Sequence, residues 1–240
     1  MEYLNSIAGI RHGLIVSCQT EEGQVFNQPE HAAMFAAAAE AGGAVGIRTE
    51  GKETIKVIRS RVSVPLIGLI RSSYPDGSVL VTPDFKDVDD IIAAGADIVA
   101  VDATNRLRPN GLSGFEFLRR VRQAHPSVLL LADVATFEEG VQAAELGADL
   151  VSTTLSGFTP ETADKSGEGV DLELVAKLSE ALVIPVIAEG RIWTPQEAVE
   201  AIQAGAYAVV VGAAITRPSL ITQMFVHELK MRTGKSETKD

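Results

Sequence analysis

The chain has 240 residues, 46% hydrophobic and 22% charged, enough apolar material for one sizeable core. Its 32 acidic and 21 basic residues leave a formal charge of -11, which excludes non-specific nucleic-acid binding for want of a phosphate-neutralising excess. One cysteine, Cys18, excludes an intrachain disulfide framework and paired-cysteine metal sites, and His12, His31, His125 and His227 show no ligand spacing.

MEYLNSIAGIRHG has no long apolar stretch behind a basic start, and no window reaches transmembrane length without charge. The expectation is a cytoplasmic chain with no membrane partner. Residues 1–230 read as one domain, and 231–240 as a polar, frayed tail.

The first predicted strand lies near 13–19 in HGLIVSCQ, followed by a helix in the alanine-rich PEHAAMFAAAAEAG (29–42). A second strand follows near 44–49 and a third near 66–71 in VPLIGLIR. TPDFKDVDDIIAAG (82–95) predicts a helix capped by Thr82, with Pro83 first and Phe85, Val88, Ile91 and Ile92 on one face. Strands near 97–102, 128–134, 149–155, 185–190 and 207–212 then alternate with helices in GFEFLRRVRQA, TFEEGVQAAELG, DLELVAKLSEAL and TPQEAVEAIQAG. Thr136 with Glu139, and Thr194 with Glu197, fit capping boxes. The last helix is expected in PSLITQMFVHELK.

A repeat near 50 residues runs through these elements: AEAGGAVGIRTE, AAGADIVAVDAT, ELGADLVSTTLSG and QAGAYAVVVGAAIT each join a helix end, a glycine and an apolar strand. Gly43, Gly95, Gly147 and Gly205 stand where those helices should stop. Continuous apolar strands indicate parallel pairing with both faces covered. Eight alternations point to an α/β chain folded as a (β/α)8 TIM barrel, its reactive end at the strand carboxyl ends. A doubly wound open sheet is the rival, because alternation alone does not establish closure.

In the barrel reading the strand ends collect Gln19, Arg48, Arg71, Asp102, Asp133, Thr153, Glu189 and Gly212. Polar residues must end strands somewhere, but guanidiniums and carboxylates from distant strands at one rim form a pocket. The phosphate candidates are Gly190, Gly212 and Ala213, with a short helix beginning near Ala214 and Arg217 at its edge. Glu189, beyond a dry strand, is the preferred acid–base group; Asp133 and Asp102 are alternatives. Those three carboxylates are also the only candidate metal set, and the expectation is no metal and no cofactor. Ser156 to Val170 forms the longest polar connection, either a cover for the ligand or a surface loop. Trp193 could stack on a sugar or cap the next helix, and Cys18 reads as packed.

SCQ (17–19), GAVGIR (43–48), VPLIGLI (64–70), ADIVAVDAT (96–104), TTLSGFT (153–159), VIAEGRI (186–192) and VVVGAAITRP (209–218) resemble N-acylglucosamine-6-phosphate 2-epimerases over nearly the whole chain. That resemblance implies a ribulose-phosphate-binding-like barrel interconverting N-acetylmannosamine 6-phosphate and N-acetylglucosamine 6-phosphate without a cofactor, in amino-sugar and sialic-acid breakdown. It implies proton transfer at C2 of the open-chain sugar, with Glu189 taking or returning the proton. By the same likeness Gln19, Arg48, Asp133 and Arg217 match substrate positions, and Thr153 joins them from the strand-end set. Gly190, Arg191, Gly212 and Ala213 lie near the phosphate.

One residue departs from the pattern. The resembling family has a catalytic lysine directly after VPxIGxx, where this chain has Arg71. Arginine can bond an enolate oxygen but does not readily supply a neutral base. Three outcomes are therefore open: Glu189 works with Arg71 as an electrostatic clamp; the protein isomerises or epimerises a related phosphosugar; or it binds an N-acylhexosamine 6-phosphate with weakened catalysis or none. No other lysine obviously takes the place; Lys52 follows the second strand. A homodimer is one assembly the chain could form.

Overall fold

The computed structural model describes residues 7–19, 23, 25–71, 79 and 81–233. Eight parallel strands close into a barrel in chain order: β1 (Leu14–Ser17), β2 (Gly46–Glu50), β3 (Leu66–Leu69), β4 (Ile98–Asp102), β5 (Leu129–Asp133), β6 (Leu150–Ser152), β7 (Val186–Glu189) and β8 (Ala208–Val211). Pairing of Leu14 with Val209 and Ile15 with Val210 joins the last strand to the first, which rules out the open sheet.

Side chains alternate between two apolar layers, as period-two strands require. Ile15, Ile67, Leu69, Ile98, Leu131, Ile187 and Val210 fill the barrel interior. Val16, Ile47, Leu66, Val99, Leu130 and Val151 face the helices. Gly68 lets those helices approach, since a Cβ there would lie 2.7 Å from Ile91 and 2.8 Å from Ala96. Parity thus decides which strand-end residues enter the barrel mouth.

The outer helices are α1 (Pro29–Ala41), α2 (Lys52–Arg59), α3 (Phe85–Ala94), α4 (Gly114–Ala124), α5 (Phe137–Glu145), α6 (Leu172–Ala181), α7 (Pro195–Gln203), α8 (Ala213–Thr216) and α9 (Pro218–Thr233). Both capping boxes are present, Thr136 with Glu139 and Thr194 with Glu197. Gly95 ends α3 at φ 94°, a conformation that a side chain makes costly.

Three details differ from expectation. Asp84 rather than Thr82 caps α3, accepting from the Asp87 N–H, because Thr82 at φ 45° instead donates its hydroxyl to Ala100 O at 2.6 Å. Helix α2 is not among the helices read from the sequence, although Thr54, Ile55 and Ile58 mark its buried face. Helix α9 continues through Thr233, past the start expected for the tail; residues 234–240 lie outside the described residues. No helix among the described residues is long and apolar enough to cross a membrane.

Candidate active site

The carboxyl ends of the strands surround a cavity of about 450 Å³. Gln19, Arg48, Arg71, Glu189 and Arg217 line it, as do Gly190, Arg191, Gly212 and Ala213 from the connections after β7 and β8. Most of the expected residues therefore meet at one place. Ile187 and Glu189 share the inward face of β7, just as Ile67 and Leu69 precede Arg71 on that of β3.

Arg48 sits at the centre of a buried network. Its side chain is 1% exposed, and its two terminal nitrogens donate to Asp133 at 3.0 and 2.6 Å. The nearer carboxylate oxygen of Glu189 lies 3.0 Å from Arg48 Nη1. Burial loosens the Arg48 proton, but Asp133 and then Glu189 more than offset this and hold the guanidinium above its usual range.

One cation here faces two carboxylates, so one acid remains uncompensated. Burial pushes Glu189 up, Arg48 pulls it down and Asp133 pushes it up again; the result is about 7. Thr154 Oγ1 lies 3.1 Å from Glu189 and 2.6 Å from Asp133, and Ser152 Oγ lies 3.5 Å from Glu189. The arrangement provides a partly exposed carboxyl that titrates in the range useful for proton transfer.

Arg71 has a different setting. It is 48% exposed, with Nε 3.2 Å from Glu50 and Nη2 donating to Gln19 Oε1 at 2.8 Å. Gln19 Nε2 in turn donates to Ser17 Oγ at 3.0 Å. Lys52 pairs with Asp90 at 2.5 Å, and no lysine among the described residues lines the cavity.

Other expected residues are engaged elsewhere. Thr153 is 1% exposed, and its hydroxyl bonds the Glu189 main chain at 3.1 Å in both directions; its neighbour Thr154 lines the cavity instead. Alternation from Leu150 through Ser152 marks Thr154 as the inward residue, a signal present in the sequence. Asp102 accepts from Thr104 and pairs with Arg106 at 3.0 Å, within its own connecting loop. Arg191, at φ 57°, donates to the carbonyls of Ser156, Glu168 and Gly169 and lies 5.6 Å from the Phe158 ring centre.

The Ser156–Val170 connection is thereby fastened to the end of β7. It contains a 3-10 helix, Pro160–Lys165, and contributes Phe158 to the cavity wall. Trp193 also lines the cavity. Cys18 faces the helices, and burial pushes its thiol up to about 12, which suppresses nucleophilic reactivity. His125 pairs with Asp89 at the end of α4, away from the cavity. Among the described residues no His, Cys, Asp and Glu group could hold a metal ion.

Similarity to known proteins agrees with this geometry. Residues 32–231 match the family model for N-acetylmannosamine-6-phosphate epimerases, a name that family carries provisionally. Under the same provisional name, a protein of Caldanaerobacter subterraneus is 50% identical over 229 residues, covering 95% of this chain and 96% of its own. One of Clostridioides difficile is 42% identical, covering 92% and 98%. The solved N-acetylmannosamine-6-phosphate 2-epimerase of Clostridium perfringens superposes with a TM-score of 0.87 at 40% identity, over 93% of this chain and 96% of that one. A thiamine phosphate pyrophosphorylase of Pyrococcus furiosus, covering 92% and 98%, shares the fold alone, at TM-score 0.57 and 18% identity. The chain belongs to the N-acetylmannosamine-6-phosphate 2-epimerase family.

Proposed function

We propose that the protein is a cofactor-independent epimerase interconverting N-acetylmannosamine 6-phosphate and N-acetylglucosamine 6-phosphate. The observation that carries this is a cavity-lining carboxyl raised to about 7 in a rim that also presents Arg71 and Arg217. The C2 proton of a sugar becomes acidic only when C1 is a carbonyl, so the reacting species is the open-chain aldehyde. Glu189 exchanges the C2 proton, and the Arg71 fork stabilises the oxygen on which enolate charge develops.

The phosphate belongs between the ends of β7 and β8. Gly190 and Gly212 bring main chain to the cavity wall, Ala213 opens α8 with its leading N–H groups lacking intrahelical acceptors, and Arg217 adds charge. Arg191 contributes main chain there, while its guanidinium ties down the Ser156–Val170 cover. Gln19, Arg48 and Asp133 hold or shape the sugar's surroundings.

Arg71 also supports a second reading, a phosphosugar-binding protein with weak catalysis or none, because a guanidinium does not readily act as a neutral base. Incubation with N-acetylmannosamine 6-phosphate in deuterated water separates the two. The epimer carrying deuterium at C2 is the expected product; tight binding with neither product nor exchange would establish the binding protein. A panel of other phosphosugars tests the isomerase alternative.

Assembly as a homodimer belongs to the same proposal. Helix α9 has 16 residues with none buried, and Phe225 and Leu229, one turn apart on one side of it, are exposed. An apolar helix surface of that kind favours association with a second copy. Sedimentation should give twice the mass of the 25.4 kDa chain, and a monomer at micromolar concentration would refute it.

A further inference from the structure

Thr154 occupies the junction between buried Asp133 and partly exposed Glu189, and its hydroxyl has only one proton. Three oxygens lie within reach of Oγ1: Asp133 Oδ1 at 2.6 Å, Ser152 Oγ at 2.8 Å and Glu189 Oε2 at 3.1 Å. Asp133 is the committed anion of the pair, because it receives both terminal nitrogens of Arg48. A separation of 2.6 Å suits a hydroxyl donating to an ionised carboxylate. With its proton used there, Oγ1 turns only lone pairs toward Glu189.

We infer that Thr154 is a positioning residue whose hydroxyl donates to Asp133 and accepts from Glu189 whenever that carboxyl holds a proton, so that it stabilises the acid form produced when Glu189 takes the C2 proton. The inference rests on the proposed use of Glu189 at C2 and adds how its proton is held. The chain of donors reads Glu189 Oε2–H to Thr154 Oγ1–H to Asp133 Oδ1. An ionised Glu189 would instead set its lone pairs against those of Thr154, relieved only by Arg48 Nη1 and Ser152. Because Arg71 stands where a proton-carrying lysine would, this carboxyl is the group left to hold the exchanging proton.

The charged and titratable neighbours of Glu189 are Arg48 on β2, Asp133 on β5 and, around the cavity, Arg71, Arg191 and Arg217. Guanidiniums stay charged across the working range, so a titration near neutrality belongs to the carboxyl pair.

The test measures C2 deuterium exchange against pH for the parent, Thr154→Ser and Thr154→Val, together with infrared spectra of the substrate-free proteins. The Glu189 carboxyl band is assigned as the one absent from Glu189→Gln. Removing the acceptor destabilises the acid form, so Thr154→Val should move both the acidic limb and the infrared titration down by about one pH unit. Thr154→Ser keeps the hydroxyl and should stay near the parent. Thr154→Ala must show the same downward shift, which covers a failure of the valine variant to fold. An upward shift, meaning that Thr154 had been donating to Glu189, would overturn the inference; so would no shift. The infrared arm needs no substrate, so a protein that exchanges no deuterium would sink the proposed function while leaving this inference decided separately.

Discussion

Arg48 and Arg71 leave neighbouring strands at the same rim, yet Arg48 is 1% exposed and doubly bonded to Asp133, whereas Arg71 is 48% exposed between Gln19 and Glu50. The buried guanidinium is a fixed charge. It is spent mainly on Asp133 and only partly offsets the burial that raises the proton affinity of Glu189. The exposed one reaches the open cavity while held by Gln19 and Glu50. In the proposed mechanism, proton chemistry belongs to the dry side of the mouth and charge stabilisation to the wet side.

Substitutions can break that division, and the largest effect should come from the dry side. Glu189→Gln is expected to lower C2 exchange by about 10²–10⁴-fold while retaining much of the ligand affinity, read by isotope exchange and calorimetry. Undiminished exchange would remove Glu189 from the acid–base role.

Arg48→Met leaves Asp133 and Glu189 buried without their cation. Breaking a buried pair in this way costs about 3–5 kcal/mol, which urea unfolding would register. A loss below about 1 kcal/mol, the ordinary range for an exposed pair, would show that the network is not buried in solution.

Glu189 should also cost stability as pH rises. Its folded value of about 7 lies above the unfolded value of roughly 4.3, so the unfolded chain releases this proton first. The contribution is complete below the unfolded value and is lost as pH climbs through 7. Glu189→Gln, which carries no charge, should therefore unfold later than the parent at about pH 8, by on the order of 2–3 kcal/mol. The difference should close below about pH 4, and an opposite sign would contradict the raised affinity.

The smallest effect is expected on the wet side. Arg71→Lys keeps the charge in an open setting, so turnover should be preserved or raised, within about tenfold of the parent. Loss of activity with an intact fold would mean that the fork held by Gln19 and Glu50 performs geometry that lysine cannot reproduce.

Much of this was legible in the residues. Eight apolar strands separated by capped helices carried the barrel, and the ends of VPLIGLIR and IPVIAEGRI placed Arg71 and Glu189 at its mouth. Parity was the unused information: Leu150, Ser152 and Thr154 share one face, which separates Thr154 from the Thr153 read as a pocket residue. The destination of the Arg191 guanidinium was not legible, since it depends on carbonyls over 20 residues away in chain order. Nor was the network around Arg48, whose partners lie 85 and more residues further along. Such pairings follow from closure of the barrel and from no local pattern.

The most direct measurement is a crystal structure of Glu189→Gln with N-acetylmannosamine 6-phosphate. The phosphate should lie against Gly190, Gly212 and Ala213 with Arg217 beside it, and the new carboxamide should face the hydrogen on C2. A phosphate bound elsewhere, or a side chain at 189 turned away from the sugar, would contradict the account.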